Sequence, residues 1–72
     1  MRQDMSQAER QALTDELMRL RQEHRDLDDA ILALQERELP DKLQIQRLKK
    51  KKLSIKDQIV ALSYRLTPDI IA

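Results

Sequence analysis

Apolar residues fall on two stripes in which steps of three and four alternate. The first runs Leu13, Leu17, Leu20, His24, Leu27, Ile31, Leu34. The second runs Ile45, Leu48, Lys52, Ile55, Ile59, Leu62, Leu66. That period is the mark of α-helices packing along one seam. Ser6-Gln7-Ala8-Glu9 reads as a capping box, so the first helix is expected over about 7–38, roughly 50 Å at ~1.5 Å per residue. Pro40 disfavours the α conformation at Leu39 and ends it. Asp41, with Gln44 three residues on, opens a second helix over about 42–66, roughly 38 Å long, which Thr67-Pro68 ends. The loop is too short for anything but antiparallel neighbours. The fold class is therefore all-α, a coiled-coil-like two-helix antiparallel hairpin. It forms one domain over 1–72, with a frayed end over 1–5 and an apolar tail over 67–72.

Aligning Leu34 with Ile45 fixes the register. Ile31 then meets Leu48, Leu27 meets Lys52, His24 meets Ile55, Leu20 meets Ile59, Leu17 meets Leu62 and Leu13 meets Leu66. Every apolar layer finds a partner.

Composition narrows the chemistry. Seventy-two residues bury only a small core, and domains of this size are marginal without staples or partners. With no cysteine there is no disulfide and no cysteine-based zinc site, and one histidine makes no histidine cluster. The lack of glycine removes phosphate-cradling loops. No small-molecule substrate, cofactor or metal is expected. The polar N-terminus shows no secretory signal, and the longest apolar run, Ile70-Ile71-Ala72, is far short of the ~20 residues that span a bilayer. A cytoplasmic protein without membrane contact is the expectation.

Charge is segregated although its sum is only +1. Residues 6–38 hold five basic residues against nine acids, a net of −4. Residues 41–66 hold eight against two, a net of +6 centred on Arg47-Leu48-Lys49-Lys50-Lys51-Lys52. One reading is a nucleic-acid contact through Arg47, Lys49, Lys50, Lys51 and Lys56, with salt-dependent binding. The other is internal complementarity. The register sets Lys50, Lys51 and Lys52 opposite Asp29, Asp28 and Asp26, which fixes alignment more than stability. The absence of Phe and Trp, with Tyr64 the one aromatic residue, removes a base-stacking platform and favours the second reading.

His24 and Lys52 interrupt the apolar seam. Single polar seam positions set register and oligomer state, and the Lys52 stem can lie over Leu27 while its ammonium reaches an aspartate. Glu23, Asp26, Asp28 and Asp29 resemble a carboxylate cluster. A lone hairpin offers no sheltered pocket in which they could act as acid and base, so they read as a solvated helix face.

Met18 and Leu32 on the first helix, and Leu53, Val60 and Tyr64 on the second, lie off the seam. With Ile70 and Ile71 of the tail they form a candidate protein interface. Through it the hairpin would pair with itself, as a dimer or larger helical bundle, and with another protein.

Two elements carry a family resemblance. His24, Leu27, Asp28 and Ile31, followed by Lys49, Lys50, Lys52, Leu53, Lys56 and Asp57, resemble the YdcH-like family of small bacterial proteins of unknown function. The ending Pro68-Asp69-Ile70-Ile71-Ala72 is similar too. Where that family often carries an acid after the Lys-Asp pair, this chain has Gln58, and some relatives have a longer loop. The resemblance implies a helical hairpin in a bacterial cytoplasm and supplies no catalytic residue or cofactor. The resulting expectation is a non-enzymatic helical interaction module, an adaptor or small structural partner. The alternative is a nucleic-acid-associated protein using the second helix.

Overall fold

The computed structural model describes residues 6–66. Two α-helices, α1 (Gln7–Gln35) and α2 (Lys42–Leu66), pack side by side as an antiparallel hairpin, with no strand among the described residues. The molecule measures 55 × 24 × 15 Å. The expected fray over 1–5, the stop at Thr67-Pro68 and the tail with Ile70 and Ile71 lie outside the described residues.

Both helix starts follow from local chemistry. Ser6 is extended (φ −69°, ψ 163°), its Oγ accepts from the Glu9 N–H at 3.1 Å, and its own N–H donates to Glu9 Oε1 at 2.9 Å. Two of the orphan donors of the helix end are thereby satisfied. At α2 the Gln44 N–H donates to Asp41 Oδ1 at 3.1 Å and the Ile45 N–H to the Asp41 carbonyl at 3.0 Å. Only this first half of the box forms; the Gln44 side chain makes no return bond.

The end of α1 corrects the expected boundary of 38: the helix stops at Gln35. The Glu36 N–H still reaches the Leu32 carbonyl at 3.1 Å, but the Arg37 N–H turns to Leu34 at 3.4 Å, a step of three that closes the last turn. A helix continued to Pro40 would drive the proline ring into the Glu36 carbonyl, four residues back, and proline has no N–H to bond there. Glu36 and Glu38 add carboxylates at the negative end of the helix dipole, and the last turn holds no basic residue to offset them.

Burial falls on the predicted seam. Leu20, Ile31, Ile45, Ile55 and Leu66 are buried, and every other seam position from Leu13 to Leu62, His24 and Lys52 included, is half-buried. Among the described residues two polar contacts tie the helices, one in the loop-side half of the seam and one at its open end. Lys52 Nζ lies 2.6 Å from Asp28 Oδ1, and Arg10 Nη1 donates to the Leu66 carbonyl at 3.3 Å. Both lie within a turn of the register read from the stripes. Arg10 covers a C-terminal carbonyl that α2 cannot satisfy itself.

Candidate functional site

The seam occupies one side of each helix and leaves the rest of α2 to solvent. On that outer side Leu43, Gln46, Lys50, Leu53, Asp57, Val60 and Tyr64 again alternate steps of three and four, a second stripe nearly half a turn from the first. Its apolar members are open: Leu53 is 64% exposed, Leu43 60%, Tyr64 56% and Val60 45%. On α1, Met18 (63%) and Leu32 (52%) are exposed as well. Met18, Leu32, Leu53 and Val60 each directly follow a seam residue of the same heptad class. In an antiparallel pair such positions on both helices fall on one side of the molecule. These four residues of the expected interface thus share one side of the molecule, while Tyr64 stands on the outer stripe of α2 further from α1. Leu43 joins it; the seven-residue step from Val60 to Leu53 leads back to Gln46, so that spacing alone gives no sign of Leu43.

The basic residues meet the same face. One hollow of about 420 Å³ is lined by His24, Lys49, Lys52, Leu53 and Lys56. A neighbouring hollow of about 450 Å³ is lined by Leu43, Gln46, Arg47, Lys49, Lys50 and Leu53. They share Lys49 and Leu53, and no carboxylate lines either one. The result is an open trough with leucine on its floor and cations along its walls. Of the residues expected to contact nucleic acid, Arg47, Lys49, Lys50 and Lys56 line it. Lys51 lines neither hollow; at ~100° per residue it lies roughly 200° from both Lys49 and Leu53.

The expected pairing of Lys50, Lys51 and Lys52 with Asp29, Asp28 and Asp26 is corrected. Lys52 reaches Asp28, whereas Asp26 accepts from Gln22 Nε2 at 2.9 Å within α1. Among the described residues neither Lys50 nor Lys51 is in an ion pair. Lys50 lies roughly 160° from both Leu48 and Lys52 and so faces away from the seam, while Lys51 lies exposed at the seam's edge. The run of four lysines therefore divides: one aligns the hairpin and the others keep their charge for solvent or a partner.

The acidic side has no comparable shape. Arg19 bridges Glu16 at 2.6 Å and Glu23 at 3.5 Å, and Gln11 donates to Asp15 at 2.9 Å. Glu23, Asp26 and Asp28 are each engaged by a different partner and do not converge on one point. Among the described residues no group of three His, Cys, Asp or Glu side chains is placed to hold a metal ion, and no helix is long and apolar enough to cross a membrane.

Two carboxyls titrate low. The hydrogen bond from Lys52, and then its charge, holds Asp28 below the ordinary aspartate value. The hydrogen bond from Arg19 does the same to Glu16. A depressed folded-state pKa contributes stability that is fully present above the unfolded value and is lost as pH falls through the folded one. Thermal melts followed by circular dichroism should therefore hold steady from neutral pH to about pH 5 and drop below the ordinary aspartate value of 3.8. Lys52→Met should flatten part of that drop; an unchanged acid profile would show the Asp28 pair to be inert.

Against known proteins, the family model described as a protein of unknown function (DUF465) matches residues 17–63. The chain belongs to the DUF465 family. The YdcH-like proteins whose motifs it resembles are of this type, so the resemblance stands. The DUF465 match takes in most of both helices, the loop and all residues of the trough, and leaves out the first turns of α1 with the Ser6 cap and the Arg10–Leu66 contact. No curated protein and no solved structure matches the chain.

Proposed function

We propose that this DUF465 hairpin is a non-enzymatic interaction module that receives a partner helix on the outer face of α2. The observation that carries the reading is the second three-and-four stripe, with Leu43, Leu53, Val60 and Tyr64 all exposed. A stripe of that period fits the ridges of another helix. The trough adds chemistry to the shape. Cations beside leucine favour a partner that is itself amphipathic and acidic, with carboxylates toward Lys49, Lys50 and Lys56 and apolar side chains on Leu53. Met18 and Leu32 widen the platform. The partner is another protein or a second copy of the chain, and the module acts in the cytoplasm, as the family resemblance implies.

The second reading, contact with nucleic acid, draws on the same lysines. Beside them the trough offers leucine and, apart from the half-buried His24 imidazole, no ring on which a base could stack, which favours the helix. Purifying the tagged protein from its host with and without nuclease separates the two. Protein partners should survive nuclease and be lost from the Leu53→Glu, Val60→Glu double variant, whose circular dichroism stays helical. Where the partner is a second copy, the native mass of the pure protein falls in that variant. Recovery of nucleic acid, with all partners lost on nuclease treatment, would replace this reading with the second.

A further inference from the structure

The loop hides a continuity. Read through it, the seam steps from Leu34 to Glu38, Asp41 and Ile45 by four, three and four, so the alternation runs unbroken from Arg10 to Leu66. A chain opened at the loop would carry both apolar stripes on a single side. The register of the hairpin is also centred on the loop, between Leu39 and Pro40. Two opened chains laid antiparallel therefore pair the same positions that the hairpin pairs with itself.

From this we infer that a second copy of the chain is a natural partner for the seam, by exchange of α2 between two opened molecules. This goes beyond the reading of the outer stripe and rests on different residues. Every contact across the seam re-forms between copies. The Lys52–Asp28 bridge and the Arg10 bond to the Leu66 carbonyl become intermolecular without change of geometry. Charge selects the antiparallel arrangement. It sets the acidic α1 on the basic α2, whereas a parallel pair would stack the lysine run on itself and His24 on His24. Exchange of an identical element is a low-cost route to a dimer, and what decides between the forms is the hinge.

The hinge is built to keep the hairpin closed. Pro40 opposes one continuous helix. Glu38 and Asp41 occupy the two seam positions that fall in the loop. In the exchanged pair Glu38 of each copy lies level with Asp41 of the other, so carboxylates crowd the centre. In the hairpin they sit exposed in the turn, and Asp41 caps α2 instead. These residues, together with the entropy lost on association, hold the monomer at low concentration.

The chain has no cysteine, so a seam pair can be made to report on connectivity. Leu17→Cys with Leu62→Cys places two thiols across one layer. After oxidation at micromolar concentration the bridge should close within one molecule. When the protein is unfolded and refolded at rising concentration, bridges between molecules should appear. The ratio of covalent dimer to monomer should rise about tenfold for each tenfold rise in concentration, as mass action requires. Adding Pro40→Ala and Glu38→Leu should make the covalent dimer the main product.

The cysteine-free loop variant gives an independent reading. In small-angle scattering its longest dimension should grow from the 55 Å of the hairpin to about 90 Å, the length of some sixty residues of helix. Bridges that stay within one molecule at every concentration and in the loop variant overturn the inference, as does a loop variant that keeps the 55 Å length. A native dimer whose bridges are all internal would mean side-by-side association through the outer stripe. That outcome sinks the exchange and leaves the proposed function standing.

Discussion

Replacing Leu20 by alanine is expected to cost about 2–5 kcal/mol, the usual range for a leucine truncated in a core. Among the described residues Leu20 is the most deeply buried side chain, at 2% exposed. Its register partner is Ile59, itself half-buried. The hairpin has one layer of contact and no second layer that could settle into the space left behind. A core of this size rarely supplies more than about 3–5 kcal/mol in total, so the substitution consumes most of the stability. Far-ultraviolet circular dichroism at room temperature should show a largely unfolded population, and urea titration should lose its native baseline. Leu53→Ala is the matched control. The same chemistry at 64% exposure should change the stability read from the urea titration by no more than about 0.5 kcal/mol. Equal losses at the two sites would mean that the outer stripe is covered in solution as fully as the seam.

The contrast between those leucines shows what the sequence made legible. The seam was readable because its period leaves one choice of buried side for each helix, and because a short loop leaves one choice of direction. Leu20, Ile31, Ile45 and Ile55 could be named as core from spacing alone, and the Ser6–Glu9 box fixed the first residue of α1. The far end of α1 was less legible. A proline rule reaches the residue before it, whereas the ring's conflict with a carbonyl four residues back, and two glutamates at the wrong end of the dipole, unwound the helix from Glu36 onward. Partner choice was also beyond the one-dimensional reading. Lys52 could be seen to need an aspartate, but three lay within its reach, and a rotation of part of a turn decided for Asp28.

The candidate site was legible as two separate lists, apolar residues and basic residues, because the sequence gives no sign that they share a surface. The helix brings them together: Leu53 lies between Lys49 and Lys56 on one side of α2, and the loop folds His24 of α1 against them. That convergence turns a lysine run, which alone reads equally well as a solvated face, into a trough with a defined shape. Arg10 continues the seam by one step before Leu13, although a pattern of apolar residues alone does not include it. Its position on the stripe was the signal that it points at α2.

His24 and Lys52 permit the second large effect. Both sit on the seam, half-buried, opposite Ile55 and Leu27. A polar residue at such a position holds register at a cost in stability. Replacing both by leucine exchanges an exposed ion pair, worth about 0–1 kcal/mol, for two apolar side chains of which a good part would be covered, at roughly 25 cal/mol per Å² buried. The double variant His24→Leu, Lys52→Leu is expected to be more stable than the natural chain by about 1–3 kcal/mol in urea titration. It should be worse defined at the same time. With leucine or isoleucine at every layer from Leu13 to Leu34 and from Ile45 to Leu66, a slip of one heptad costs only the end layers. Amide spectra should show more resonances than residues, and light scattering should show mixed masses where the natural chain gives one. A variant that is stabilised yet still gives a single set of resonances would move the register-setting role to the short loop and the Asp41 cap. A variant that loses stability would mean that the Lys52–Asp28 bridge and the imidazole of His24 hold the hairpin together, and that the apolar seam alone does not.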